Sequence, residues 1–245
     1  MNNMIHNAFD KIHAEDALKQ KTADFLHERI RQQNVKRKNP HLRIVAAFAS
    51  FALLFIIGGI SHNLYFTPSA YVDIDVNPSI ELVVNRFGRV IKAEPYNDDG
   101  AAILEDISVR HISYDAAVDT LIDAMVSNGY LNQDGLLSVS VQTNDGERKS
   151  SMLGILQSAI DNSLQEHHTN AATDVFPVSE DIRTHAHKNH MTPAMYLAIS
   201  ELQQLDPTVN FEDCQKHTLK ELKQMIQDHN GQHHNKNHNE GKRAY

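Results

Sequence analysis

The stretch "RIVAAFASFALLFIIGGISHNLYF" constrains this chain more than any other. From Ile44 to Ile60 it carries no charge, and Ser50 is the one polar side chain. Continued to Phe66 it is 23 residues long, about 34 Å of helix at roughly 1.5 Å per residue, enough to cross a bilayer. The competing reading is a buried core helix. A cleaved signal peptide fits less well, because 43 mostly polar residues precede the apolar run. Lys36, Arg37, Lys38 and Arg43 crowd its N-terminal flank, whereas no Lys or Arg follows until Arg86. Positive-inside bias then predicts a cytoplasmic N-terminus, one membrane pass and an extracytoplasmic C-terminus. Tyr65 and Phe66 suit the outer interface.

The span also divides the charge. Residues 1–43 hold nine Lys/Arg against five Asp/Glu, and the other 202 hold fourteen against twenty-six. The inner segment is therefore basic and the outer part acidic, which suits two environments. The lone cysteine, Cys214, excludes an internal disulfide framework and a cysteine-rich metal site, and reads as a small buried side chain. Four regions follow: an inner segment, 1–43; a transmembrane helix, 44–66; an outer domain, 67–228; and a low-complexity His/Asn-rich tail, 229–245, expected to be disordered.

The inner segment reads as helical. Ile5, Phe9 and Ile12 fall on one face, and Leu18, Thr22, Phe25, Leu26 and Ile30 form another apolar row after a break near "HAED". So short a segment seldom buries a core of its own. Its apolar rows therefore call for a partner protein or the membrane surface. A solvated stalk has no use for Phe9, Phe25 and Ile30 in register. The basic cluster at 36–43 is accounted for by topology, so direct nucleic-acid binding is not expected.

The outer part predicts an α+β fold, a hairpin-built sheet packed with helices. Residues 70–96 alternate as a hairpin or meander turning at "NRFGR", with Gly88 as the flexible position. "SYDAAVDTLIDAMVSNGY" predicts a helix with Ser113 as N-cap, an apolar face from Tyr114 to Met125 and Gly129 at its end. "LLSVSVQT" alternates as a strand, and "SSMLGILQSAIDNSLQE" returns to helical spacing. Thr192-Pro193 is a cap followed by proline at the first helical position, Asp206-Pro207 stops that helix, and Thr218 with Glu221 makes a capping box.

No nucleotide or hydrolase motif is present: G-x-G-x-x-G, the P-loop, G-x-S-x-G and H-E-x-x-H are all missing. His185, His187 and His190 in "THAHKNH", with His229, His233, His234 and His238 in the tail, are the only metal-like cluster. A structural zinc site needs four ordered ligands and a supporting shell of hydrogen bonds. A solvated histidine-rich surface is the simpler reading, with no metal and no cofactor.

One stretch remains: "AYVDIDVNPSIELVVNRFGRVIKAEPYNDDGAAIL". Its Asn77-Pro78 interrupts an alternating segment, although proline donates no ladder hydrogen bond and belongs at strand edges or bulges. The block D-x-N-P-S-I-E-L, then N-R-F-G-x-V, then an acidic N-x-D-G, resembles the extracellular domain of RsgI-type anti-sigma factors of Firmicutes. "DAAVDTLIDAMVSNGYL" and "HMTPAMYLAISELQQLDP" are similar to two helical signatures of that family, extending the resemblance over residues 70–228. It implies a SEA-like ectodomain that cleaves itself at Asn77-Pro78. It also implies a cytoplasmic segment that sequesters a sigma factor; the apolar rows of residues 1–43, with Phe9, Ile12, Leu18, Phe25, Leu26 and Ile30, are the surface expected to bind it. Intramembrane and other releasing proteases would then free the sigma factor. The best-known relatives begin with a small β-rich sigma-binding segment, whereas residues 1–43 here read as helical.

Elementary chemistry fits the implied bond. In most Asn-Xaa pairs the next backbone N–H attacks the side-chain amide, but proline has no N–H. The intramolecular route left open is attack by the Asn77 side-chain nitrogen on its own carbonyl, expelling Pro78 and leaving a succinimide. An amide is a poor nucleophile, so strain and alignment must supply the rate. Such a device is a single-turnover event and not an enzyme. The alternative function is a membrane-tethered extracytoplasmic binding module with no sigma partner.

Overall fold

The computed structural model describes residues 16–33 and 40–240. Phe9 and Ile12 lie outside the described residues. The chain divides into two units between Gly58 and Gly59.

In the first unit, helix α1 (Asp16–Gln33) carries Asp16 in its first turn and Arg31 in its last, each sign suited to the helix dipole. Its row of Leu18, Phe25, Leu26 and Ile30 is 53–61% exposed. Helix α2 (Pro40–Phe66) runs across the division between the units. Within it, Ala47–Phe66 is the one stretch among the described residues long and apolar enough to cross a membrane, and none of it is buried.

The second unit is mixed α/β around a five-stranded sheet ordered β3-β2-β1-β4-β5. The strands are β1 (Pro68–Asp75), β2 (Ser79–Asn85), β3 (Val90–Pro95), β4 (Leu136–Gln142) and β5 (Ala172–Pro177). Thr67 alone separates α2 from β1. Strand β1 lies inside the sheet, antiparallel to β2 on one side and to β4 on the other, with Ile74 opposite both Ile80 and Val139. Strand β5 runs parallel to β4, its other edge unpaired within the sheet.

Alternation gives the sheet two unlike faces. Val72, Ile74, Ile80, Leu82, Val139 and Val141 point into an apolar core. It is completed by α3 (Asp98–Asp106), α4 (Tyr114–Ser127) and α5 (Gly146–Glu166). Every apolar residue expected on α4, from Tyr114 through Met125, is buried there. Gly129 ends α4 with φ +78°, the left-handed conformation glycine adopts at no steric cost. Ser113 takes the N-cap position without a side-chain bond, and its backbone is bridged to Arg89.

The opposite face is polar and yet buried: Asp73, Asp75, Glu81, Ser138 and Ser140 are each at most 3% exposed. Helices α6 (Glu180–Lys188) and α7 (Pro193–Leu205) reach it through Arg183 and Thr192. With α8 (Phe211–Cys214) and α9 (Leu219–Glu240) they form a second apolar cluster that includes Met191, Ile199, Leu202, Cys214, Leu222 and Ile226. Thr192 caps α7, and the Thr218–Glu221 box caps α9 through bonds of 2.8 and 3.3 Å.

Helix α9 continues to Glu240, through residues where low complexity predicts disorder. Its packed first turns, at Leu219, Leu222 and Ile226, supply the costly nucleus.

Candidate functional site

Asn77-Pro78 lies in the turn between β1 and β2, not within a paired strand as its alternating surroundings suggest. The last ladder pair is Asp75 with Ser79, so Val76, Asn77 and Pro78 form the loop. Turn chemistry explains the difference. Proline has no N–H to offer a ladder, and asparagine tolerates positive φ better than other residues with a Cβ. The loop is closed by Val76 N–H donating to Pro78 O at 3.1 Å. The side chain of Asn77 is exposed while Pro78 is buried.

The backbone at Asn77 is strained. Its φ is +72°, whereas a following proline drives a residue toward the extended region. Two local preferences are overridden together, a conflict on the order of 1–3 kcal/mol. The surrounding sheet maintains it, because both neighbours of β1 hold the strand up to Asp75.

A second asparagine braces the turn. Asn97, the N-cap of α3, accepts from Gly100 N at 2.8 Å and from Ser79 N at 3.1 Å through its Oδ1. Its Nδ2 donates to Asn77 Oδ1 at 2.8 Å. Ser79 O also accepts from Tyr96 N at 2.9 Å. Gly100 permits this crowding: a Cβ there would sit 2.5 Å from Ser79 O. In the sequence Asn97 shows only as part of the acidic N-x-D-G block. An Asn directly before two acids and a helix is an N-cap signal, and that signal could have found it.

Below the turn, the end of β1 is pinned to the helical layer. Asp75 accepts from Ser79 Oγ at 3.3 Å and, through a short bond, from Thr192 Oγ1. Burial raises the Asp75 carboxyl to about 6, against the bonds from Thr192 and Ser79. Two residues earlier, Asp73 meets Glu81, Tyr96, Ser140 and Arg183. Tyr96 Oη donates to Asp73 at 3.0 Å, and Ser140 Oγ at 3.4 Å. Arg183 grips Glu81 Oε2 through two nitrogens at 2.9 and 2.7 Å, and lies 3.3 Å from the centre of the Tyr71 ring. Burial, then the neighbouring Glu81 charge, push Asp73 up to about 8.

These carboxyls make stability fall as pH rises. A carboxyl raised on folding contributes stability fully below its unfolded pKa, near 4, and loses it as pH passes its folded value. The loss therefore comes through about 6 for Asp75 and about 8 for Asp73. The thermal midpoint of the detergent-solubilised chain should drop by several degrees between pH 5 and pH 9. Asp73→Asn, which stays neutral, should remove the upper part of that drop. A flat profile, or an unaltered one in the variant, would contradict the buried protonated carboxyl.

A cleft of about 670 Å³ lies beside the turn, lined by Asp75, Asn77, Ser79, Tyr96 and Asn97 on the sheet side and by residues 188–192 and 215–219 on the helical side. His187 and His190 line a smaller recess with Glu81 and Glu94, and His185 stacks on Tyr196. Among the described residues no three His, Cys, Asp or Glu side chains are gathered to hold a metal ion.

Of the residues singled out in the sequence, Asn77 and Pro78 thus sit together in one braced, strained turn in the second unit. Leu18, Phe25, Leu26 and Ile30 share one helix in the first.

Comparison with known proteins adds the family. Residues 69–201, more than half of the chain, match the domain described as "anti-sigma factor RsgI-like central domain". The anti-sigma-I factor RsgI7 of Acetivibrio thermocellus is 27% identical over 192 residues, covering 76% of this chain and 35% of its own length. RsgI4 of the same organism is 27% identical over 184 residues, 73% of this chain and 35% of its own. RsgI8 is 25% identical over 202 residues, 78% and 49% respectively. The chain thus spans about a third to a half of these curated relatives. The matched domain contains the Asn77 turn, Asn97 and the buried carboxyls. The chain belongs to the RsgI-type anti-sigma factors.

Proposed function

We propose that this chain is a single-pass membrane anti-sigma factor whose inner segment sequesters a sigma factor and whose outer domain is a self-cleaved sensor. The observation that carries the reading is the strained Asn77-Pro78 turn inside the family's central domain. It lies at the end of the strand that continues directly from the membrane helix. Residues 1–43 are cytoplasmic, 44–66 cross the membrane, and 67–228 form the external domain. The exposed apolar row of α1 supports a protein partner on the inner side.

Cleavage at Asn77-Pro78 would leave β1 attached to the membrane helix and everything beyond it attached only through contacts. Two antiparallel ladders, the Asp75–Thr192 bond and the Arg183–Tyr71 stack would hold the pieces together. That is what a SEA-like role asks of the domain: a cut chain that stays assembled until it is pulled or locally unfolded. Separation is then governed by an unfolding rate and not by chemistry. The remaining external stub, residues 67–77, is short and unfolded, a substrate for an intramembrane protease after other releasing proteases have acted. The event is single-turnover, needs no cofactor and involves no direct contact with nucleic acid.

Topology tests the reading. A reporter that fluoresces only in the cytoplasm should glow at the N-terminal end of the chain and stay dark at the C-terminal end. The reverse pattern would place the apolar row of α1 outside the cell and overturn sequestration of a sigma factor by this segment.

A further inference from the structure

We propose that Asn97 is a catalytic group of the self-cleavage, donating through Nδ2 to Asn77 Oδ1 and stabilising the charge that gathers there as the Asn77 amide becomes a nucleophile. The proposal rests on the reading of Asn77-Pro78 as the self-cleaved bond.

The orientation of both amides follows from their neighbours. Two backbone N–H groups, of Ser79 and Gly100, point at the same end of the Asn97 side chain, at 3.1 and 2.8 Å. Only an oxygen can accept both. The nitrogen of Asn97 is therefore the end that faces Asn77, and Asn77 must answer with its oxygen, 2.8 Å away. This turns Asn77 Nδ2 to the side of its amide away from Asn97. Asn97 itself cannot swing, since it caps α3 and its neighbour Gly100 is packed against Ser79 O.

The chemistry needs such a donor. In the step, Asn77 Nδ2 forms a bond to the Asn77 carbonyl carbon. The bond from that carbon to Pro78 N breaks, and its electron pair stays on the proline nitrogen. The proton lost from Nδ2 ends on that nitrogen. The products are a five-membered imide at residue 77 and a free secondary amine at Pro78, with nothing oxidised and no co-reactant used. A primary amide attacks only as its nitrogen gives up a proton, and the charge then rests largely on its oxygen. A fixed N–H at that oxygen is the arrangement that stabilises developing charge without reorganisation. Removing one such donor slows acyl transfer by on the order of 10²-fold or more.

Capping and catalysis separate cleanly in two variants. Asn97→Asp and Asn97→Ser both keep an acceptor for the α3 N–H groups, and both residues are good N-caps. Neither offers the N–H to Asn77. Full-length chains made in a short labelling pulse and chased in membranes should show wild type cutting to completion. Both variants should cut on the order of 10²-fold more slowly, with the thermal unfolding midpoint retained. Cutting at the wild-type rate in both would overturn the proposal. So would slow cutting with a midpoint lowered by several degrees in both, because a lost cap would then account for it. Wild type that stays intact would overturn the self-cleavage reading as well, whereas cut wild type with unaffected variants overturns the role of Asn97 alone.

Discussion

Phe25→Asp should raise transcription from the sequestered sigma factor's promoters in the absence of any external signal. Phe25 is 61% exposed on α1, with Leu26 and Ile30 beside it at 53% and 54%. Burying a side chain of that size against a partner contributes about 1.5–3 kcal/mol. An unpaired carboxylate in the same place costs several kcal/mol more unless water reaches it. Since each 1.4 kcal/mol is about tenfold in affinity, binding should weaken by at least roughly 10- to 100-fold. Ile30→Asp should behave alike. Asp24→Asn, on the opposite side of the helix by its spacing, should leave repression intact. The measurement is a promoter reporter together with an immunoblot of the membrane fraction. Unchanged transcription with the variant present in the membrane would show that this face does not hold the sigma factor.

The second large effect is all-or-none. Asn77→Ala removes the attacking nitrogen, so the chain should run as one uncut band and its sigma factor should stay sequestered when the signal is given. The sheet should survive, because β1 keeps both of its ladders. Alanine is less suited than asparagine to a φ of +72°, at a cost of about 1 kcal/mol. Asn77→Gly separates the two ingredients of the site. It relieves the backbone and still lacks the nucleophile, so it should be uncut and more stable than Asn77→Ala. Cutting in the alanine variant would mean that strain alone breaks the bond, and cutting in the glycine variant that neither the strain nor the Asn77 amide is needed.

Much of this was legible in residue spacing, and the exceptions have physical causes. The apolar period of Tyr114–Met125 and the caps at Thr192 and Thr218 are local signals, and the structure repeats them. The turn at Gly88 is another such signal, with φ +73°. Strand β5 has no comparable pattern. It is a six-residue edge strand whose place is set by its parallel pairing with β4, across the whole of α5. Helix α3 has nine residues, too few to show a period. The alternation of β1 places Asp73 and Asp75 on a polar face, and polar faces usually meet water. Here α6 and α7 cover that face, and nothing within the strand reports their approach.

The site was half legible. Resemblance pointed to Asn77-Pro78, but the alternation on either side suggested a proline wedged into a strand. The turn closes locally, with Asp75 paired to Ser79 and Val76 N–H donating to Pro78 O, but the brace from Asn97 comes from contacts 18 and 20 residues apart in sequence, and the pinning of Asp75 by Thr192 from 117 apart. Segments that distant cannot be paired from one sequence.

The mass of the two pieces of the wild-type chain tests the central claim most directly. Cleavage by the Asn77 amide predicts an outer piece that begins Pro78-Ser79-Ile80. Its membrane-side partner should end at residue 77, one water lighter when freshly formed than hydrolysis would leave it, and should gain that water on standing as the imide opens. A chain that stays intact, a cut at any other bond, or a membrane-side piece that carries the extra water from the start would contradict it.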